Sequence, residues 1–232
     1  MRRARRFVCV SAVVLGGLAL TPAAGAAPSF VLSASPPTVD CGASTALTAR
    51  LGVAGATVRL SRKAAGESEF RLIDTVVTDA GGAVTYDAAP RATMTYLAEL
   101  PGDAEWLPAS AKVTVTVRPL VRLVAPGTVY RGARARLSVQ VVPSHPGATV
   151  TVEMWSGGAW TTWRTLTLGD DSRAAALWSA GRVGRRAFRA GVAADEEHAA
   201  GASGVRRARS PASSGARRCP RPPATSASSP RG

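Results

Sequence analysis

Two histidines and a few acidic groups are the side chains with which this sequence could do metal or acid–base chemistry. His145 lies in a Pro-Ser-His-Pro-Gly turn, and His198 lies in a loop ahead of the last strand. Neither has a histidine or cysteine partner at the spacing of a zinc site. The acidic group 195–197 offers oxygen ligands for Ca²⁺, but it lacks the ligand spacing of a calcium loop, so a solvated loop is the prediction. We predict no metal and no cofactor.

Catalytic motifs are also missing from the sequence. No serine lies in a G-x-S-x-G pattern, and no glycine-rich motif for phosphate is present. The pair Asp170-Asp171 is typical of a hairpin turn. We therefore predict no catalytic residues and a non-enzymatic protein.

Tryptophan is concentrated in the second half of the chain. If Val150, Val152 and Met154 face a core, the alternation of a strand turns Trp155 outward. Exposed aromatic rings stack on sugars, so the predicted binding residues are Trp155, Trp160 and Trp163. The alternative is that Trp160 and Trp163, together with Trp178, lie in the core or at its margin.

The net charge of +14 comes largely from the two ends of the chain. Residues 27–203 carry only +3, with no basic stripe interleaved with aromatics, so nucleic acid is not an expected partner. Four arginines, an apolar run and Ala24-Gly25-Ala26 predict a signal peptide over residues 1–26. A membrane anchor is the alternative, but the apolar run of about 14 residues is shorter than the ~20 needed to cross a bilayer.

Residues 205–232 are rich in Arg, Pro and Ser and are predicted to form a disordered tail. Two further interpretations stay open. The segment could be a cationic arm that binds anionic wall polymers or lipid headgroups, or a by-product of a lost reading frame.

The sequence between these ends repeats itself once. Gly55-Ala-Thr-Val58 matches Gly147-Ala-Thr-Val150, and further matches in the same order pair Phe70 with Trp160, Ile73 with Trp163, Tyr96 with Phe188, and Trp106 with His198. A period of about 90 residues is too long for a solenoid and fits a whole domain. We therefore predict domains at 27–118 and 119–204, joined by a linker too short to be free.

Each repeat contains about seven short segments with period-two hydrophobicity, separated by Gly, Pro and Asp. In the first repeat the predicted strands cover 30–33, 45–51, 56–61, 71–77, 83–87, 93–100 and 112–117. The second repeat has no equally apolar last strand. The prediction is an all-β fold of two tandem immunoglobulin-like β-sandwiches. The antibody Cys–Trp–Cys pattern is absent, so the domains are expected to be disulfide-free.

The segment from Gly102 to Ser110, GDAEWLPAS, resembles the one that precedes the last strand in bacterial Ig-like repeat domains of exported proteins. The second repeat keeps Asp195 but has His198 in place of the aromatic. The resemblance implies an immunoglobulin-like fold and an extracellular setting, and it implies no single ligand.

Together these features predict a secreted or cell-surface monomer that acts as a spacer, adhesion or binding module, without a membrane span. The expected partners are a cell-wall polymer, a carbohydrate or another surface protein. The alternatives are a carbohydrate- or wall-binding module centred on the tryptophans, and an accessory fragment of an extracellular enzyme.

Overall fold

A computed structural model of the chain describes residues 29–102 and 106–212. The predicted signal peptide, Asp103 of the repeat motif and the part of the predicted tail from residue 213 onward, with Cys219, lie outside the described residues. In the part of the chain that is described, no helix is long and apolar enough to cross a membrane.

The first domain contains eight strands: β1 (Val31–Ser35), β2 (Thr38–Asp40), β3 (Thr45–Arg50), β4 (Thr57–Ala64), β5 (Arg71–Val77), β6 (Ala83–Ala88), β7 (Met94–Leu100) and β8 (Ala109–Arg118). They form a three-stranded sheet in the order β1-β3-β6 and a five-stranded sheet in the order β2-β8-β7-β4-β5. All pairings are antiparallel except β2 with β8, which is parallel. The two sheets pack face to face as a sandwich.

The second domain repeats this plan with β9 (Leu120–Val124), β10 (Arg134–Val142), β11 (Thr149–Ser156), β12 (Ala159–Thr167), β13 (Arg173–Ser179), β14 (Gly184–Val192), β15 (Gly201–Ala202) and β16 (Arg206–Ser210). One sheet has the order β13-β10-β9. In the other, β12, β11 and β14 are followed by β15 and β16, which both pair with β14.

Each domain has its own core of inward-facing side chains from both sheets. The largest fully buried side chains are Tyr96 in the first domain and Phe188 in the second, which are 1% and 0% exposed. Around them the alternation of each strand delivers Val, Leu and Ala, as in Leu137, Val139 and Val141 of β10. Burial of these apolar faces is what holds the sheets together.

The all-β prediction of two immunoglobulin-like sandwiches is confirmed, and all seven strands predicted for the first domain are present. The short strand β2 was not predicted. No disulfide is formed among the described residues, where Cys41 is a free thiol. Burial raises the pKa of that thiol above its ordinary value.

The closing strand of the second domain corrects the boundary at residue 204. Arg206–Ser210 pairs with β14, with Phe188 opposite Arg206, as Tyr96 lies opposite Val113 in the first domain. The inward positions are Ala208 and Ser210, both 1% exposed, so the strand alternates with small residues instead of valines. The outward positions carry arginine, which concealed the alternation.

The two domains meet through direct backbone hydrogen bonds. Only Pro119 separates β8 from β9. The N–H of Thr93 donates to the carbonyl of Glu197 at 2.7 Å, and the N–H of Ala199 donates to the carbonyl of Val117 at 2.9 Å. Gly201 lies against the connection, because a Cβ atom there would come within 2.6 Å of the Pro119 carbonyl oxygen.

Gly201→Ala is expected to destabilise the protein by about 1–3 kcal/mol, since the added methyl group overpacks against backbone that cannot move aside cheaply. Chemical denaturation measures the change. Gly204→Ala is the matched control, since a Cβ at Gly204 meets nothing within 4 Å, and it should change stability by no more than about 0.5 kcal/mol. Equal effects of the two variants would contradict the close approach.

A chain that ends at residue 212 is expected to retain both cooperative unfolding transitions, whereas a chain that ends at residue 204 should lose the second. The shorter chain lacks Ala208 from the core and the hydroxyl of Ser210, which donates to the Val129 carbonyl at 2.8 Å. It also leaves an edge of β14 unpaired. Calorimetry of the two chains tests this. Two intact transitions in the shorter chain would show that β16 is dispensable.

Candidate functional site

A tight hairpin places two tryptophans side by side on the outer face of the second domain. Gly157 and Gly158 have φ of 61° and 86°, the conformation of a type I′ turn, which favours glycine at both positions. The turn sets Trp155 of β11 directly opposite Trp160 of β12. Residues directly opposite across two antiparallel strands share a face, so both rings point outward.

A β-bulge separates these two tryptophans from the third. The register of β11 with β12 shifts between Val152 and Glu153, and Trp163 is the extra residue. Trp163 is three residues from the outward Trp160, so it faces the core, where it meets Phe188 edge to face at 6.1 Å. The bulge shifts the alternation after Trp163, so that Leu166 packs against the core as well. Trp178 is buried and meets Phe188 from the opposite sheet at 5.2 Å.

The structure therefore divides the predicted binding residues. Trp155 is 44% exposed, and its ring centroid lies 5.4 Å from that of Trp160 in an edge-to-face contact. Trp160 is half-buried. Trp163 belongs to the margin of the core, the alternative considered for it above. The candidate surface is thus the pair Trp155 and Trp160.

A shallow groove of about 430 Å³ begins at this pair and continues across β14 to β16. Ala187, which immediately precedes Phe188 in β14, lies opposite Arg207 of β16. Because the Ala187 side chain is a single methyl group, it does not fill the space between the tryptophans and Arg207. Besides Ala187, the lining consists of Trp155, Trp160, Arg185, Arg186, Val205 and Arg207. We call this surface the tryptophan–arginine groove.

Three arginines give the groove a positive charge. Arg185, Arg186 and Arg207 form no salt bridge with any residue of the described chain. Arginine presents a planar fork of N–H donors that matches carboxylate and phosphate groups. The groove therefore combines an apolar stacking surface with donors for an anion.

A fourth arginine beside the groove has a structural role. The Arg189 guanidinium lies 4.6 Å from the centre of the Trp160 ring, and its Nε donates to the Glu153 carboxylate. That hydrogen bond lowers the pKa of Glu153 below its ordinary value. Arg189 thus holds Trp160 in place, and Glu153 is kept as an ionised partner of Arg189.

The first domain has an aromatic residue at the same place but covers it. Phe70, which matches Trp160 in the repeat, has the ammonium groups of Lys63 and Lys112 at 5.2 and 5.4 Å from its ring centre. The repeat places Lys63 where the second domain has Trp155. Only the second domain therefore presents a tryptophan pair on this face.

Sequence reasoning found the tryptophans but missed their arginine partners. Arg207 joins the groove through β16, which the arginine-rich composition disguised. It also missed a contact between the two histidines, because His145 and His198 belong to loops far apart in the sequence. The structure brings these two rings to 4.7 Å from each other.

Comparisons with known proteins add the following. No protein-family model and no curated protein matches the chain. Among solved structures it is similar to a tetra-tandem repeat from the extending region of a large adhesion protein, with 13% identity and a TM-score of 0.33 over 77% of this chain and 48% of that one. It thus spans about half the length of that repeat fragment.

Two further structures are similar. The D0-D1 domain of intimin has 14% identity and a TM-score of 0.31, and the match covers 77% of this chain and 96% of that one. A Salmonella alpha-2-macroglobulin mutant has 10% identity and a TM-score of 0.35, with 80% and 16% covered. Since every TM-score is below 0.5, the proposals below rest on the chain's own residues.

Trp178→Ala and Trp155→Ala should separate core from surface. We expect the first to destabilise the protein by about 3–5 kcal/mol, as for other buried large-to-small changes. The second removes only the edge-to-face contact with Trp160 and should lower stability by no more than about 1.5 kcal/mol. Urea denaturation measures both. A large loss in Trp155→Ala would place that ring in the core and remove it from the candidate surface.

Proposed function

We propose that the protein is a non-enzymatic exported module whose two rigidly joined domains act as a spacer, and whose second domain binds an anionic carbohydrate polymer in the tryptophan–arginine groove. The observation that carries this proposal is the exposed Trp155 held against Trp160 beside three arginines without acidic partners. Signal-directed export, which the sequence predicts, would place the groove outside the cell.

Stacking and charge together define the ligand class. The apolar face of a sugar ring packs on an aromatic ring, and Trp155 offers an exposed edge and face for one such ring. Three arginines next to it favour a carboxylate, sulfate or phosphate on the same polymer. A wall polymer or an acidic polysaccharide carries both features. Single-stranded nucleic acid is the less suitable ligand, because one tryptophan pair offers no succession of stacking platforms.

The lining of the groove also supports binding without hydrolysis. Glycosidases use a pair of carboxyl groups, one on each side of the scissile bond. The lining contains no Asp or Glu. Glu153, which lies beside the groove, forms a salt bridge with Arg189. A sugar held here would meet cations and aromatic rings only.

The junction between the domains suits a spacer. With Pro119 as the only residue between β8 and β9, and with backbone hydrogen bonds across the junction, the domains have little freedom to swing. A stiff pair of sandwiches would hold the groove of the second domain at a fixed distance from the far end of the first domain. Repetition of such domains is a simple way to gain reach.

Binding to polygalacturonate, an acidic polysaccharide, tests the proposal by affinity electrophoresis or calorimetry with chains that end at residue 212. This end keeps β16 and removes the cationic tail as a second source of binding. We expect Trp155→Ala to weaken binding at least about fivefold, taking for the sugar the ~1–3 kcal/mol that a flat ring gains by stacking on an aromatic side chain. Arg207→Ala should weaken it less and should reduce its dependence on salt.

Arg136→Ala is the matched control for Arg207→Ala, because it removes the same charge from the opposite sheet of the same domain. It should leave binding unchanged. A neutral glucan should bind more weakly than polygalacturonate. Equal losses in Arg136→Ala and Arg207→Ala would mean that net charge, and not the groove, attracts the polymer. No binding to either polysaccharide, or unchanged binding in Trp155→Ala, would refute the carbohydrate assignment.

A further inference from the structure

A second cluster of side chains with chemical potential lies at the junction of the two domains. It consists of His145, in the loop between β10 and β11, and of Asp195 and His198, in the loop after β14. One ligand atom from each lies within 4.8 Å of the others. The histidine side chains are 7% and 4% exposed, and Asp195 is 43% exposed.

Both histidines turn one ring nitrogen toward the carboxylate. Nε2 of His145 lies 3.0 Å from Oδ2 of Asp195, and Nδ1 of His198 lies 3.2 Å from Oδ1. The carboxylate is fixed by backbone: the N–H groups of Glu197 and His198 donate to Oδ1 at 2.8 and 2.6 Å.

The other nitrogen of each ring faces a backbone carbonyl. Nδ1 of His145 lies 2.7 Å from the Pro143 oxygen, and Nε2 of His198 lies 2.9 Å from the Arg91 oxygen. A carbonyl only accepts, so each of these nitrogens must carry the proton. This fixes the tautomer of both rings and leaves, on each neutral ring, a lone pair directed toward the region of Asp195.

Without another partner this arrangement is unfavourable. Each neutral ring then turns its lone pair toward the same carboxylate, with one N–H for two acceptors, and the ring centres lie 4.7 Å apart. A cation among the three groups satisfies both lone pairs and the carboxylate at once. A carbonyl that accepts from the outer nitrogen of a ligating histidine is the usual second shell of a metal site.

We propose that His145 Nε2, His198 Nδ1 and the Asp195 carboxylate bind a divalent transition-metal ion of the zinc class between the two domains. Two imidazoles and one carboxylate suit Zn²⁺, Ni²⁺ or Co²⁺, whereas Ca²⁺ and Mg²⁺ favour oxygen ligands throughout. Bond lengths near 2.0–2.1 Å put tetrahedral ligands about 3.3 Å apart. The two imidazole nitrogens already lie 3.0 and 3.2 Å from Asp195 oxygens, and the largest separation in the cluster, up to 4.8 Å, would close by about 1.5 Å on binding. Three protein ligands would leave a fourth tetrahedral position for water.

The place of the cluster assigns the metal a structural role. His198 donates to Arg91 of the first domain, and the next contact along the same loop joins Glu197 to Thr93. The loop after β14 is thus the segment of the second domain that contacts the first domain. An ion that holds this loop in place would therefore also strengthen the contact between the two domains. Metal binding would make the junction between the domains more rigid. Binding of a polymer in the tryptophan–arginine groove does not depend on the metal.

The first domain has apolar residues where the second has histidines. The repeat matches Trp106 with His198, and the match of Gly55 with Gly147 places Val53 opposite His145. Val53 and Trp106 pack against the core of the first domain. Histidines therefore occupy these two positions in the second domain, where the loop with His198 contacts the other domain, and apolar residues occupy them in the first domain.

Zinc titration of the full chain from residue 27, without a histidine tag, tests the site. The chain has two histidines and both lie here, so any imidazole signal reports this cluster. A background with Cys41→Ser and Cys219→Ser removes the thiols as competing ligands. Calorimetry should find one Zn²⁺ per chain with Kd below about 10 μM, where binding is readily measured. Zinc should also raise the melting temperature.

His145→Gln and Asp195→Asn should each weaken zinc binding at least about 100-fold, since loss of a ligand exceeds the effect of losing its second-shell partner. Glu196→Gln is the matched control for Asp195→Asn, because Glu196 is an exposed neighbour outside the cluster, and it should bind as the parent does. Circular dichroism verifies that each variant is folded.

X-ray absorption of the zinc-loaded parent gives an answer that does not depend on folding of the variants. Two imidazole nitrogens at about 2.0 Å are expected. Binding weaker than about 100 μM, unchanged binding in a folded His145→Gln chain, or a zinc shell without two imidazoles would each overturn the proposal. Polygalacturonate binding is measured with and without zinc in the same samples, so the two proposals can fail separately.

Discussion

The constraint on which this structure depends is the burial of a fully enclosed aromatic residue between two sheets in each domain, without a crosslink among the described residues. Tyr96 and Phe188 occupy that place, and both sheets must supply closely packed apolar neighbours to enclose them. Every inward position is therefore restricted to residues that fit. Outward positions carry no such demand, so they could diverge between the two copies. The strand residues that line the tryptophan–arginine groove all lie at such outward positions, except Arg186. Arg186 shares the parity of Phe188 on β14 but is only partly buried.

The same β-bulge in both domains explains how one strand serves the core and the surface. In the first domain the register of β4 with β5 shifts so that Ile73 is the extra residue, and Ile73 packs against the core. Trp163 is its counterpart. Trp160 and Trp163 are three residues apart, so the alternation of the strand directs Trp160 outward and Trp163 inward. The bulge then shifts the alternation by one residue, so that Leu166 also packs against the core. A large aromatic residue before the bulge is thus free to contact a ligand without loss of core packing.

Period-two hydrophobicity was enough to predict the sandwich fold and seven of the eight strands in the first domain, because inward positions there are Val and Leu. It failed at β16, where the inward residues are Ala208 and Ser210 and the outward ones are arginines. Polarity alone could not reveal that strand, since small residues fill an inward position as well as valine when Phe188 of the neighbouring strand and Trp178 of the opposite sheet lie close. The sequence predicted the outward orientation of Trp155 but not its arginines, which depend on the pairing of β14 with β16.

The junction shows a limit of a different kind. Spacing rules detect metal ligands that lie near one another in sequence, whereas His145 and His198 meet because two loops converge at one end of the same sandwich. The loop after β14 also contacts the first domain, through the Arg91 carbonyl and the N–H of Thr93. An isolated sandwich would expose those loop ends to water, where apolar residues such as Val53 and Trp106 are best folded back onto the core. A sandwich with a neighbour can instead place polar groups there, provided that each hydrogen-bonding atom has a partner. The two histidines meet that condition on their outer nitrogens through backbone carbonyls, and on their inner nitrogens only through Asp195 and whatever ion it holds in common with them.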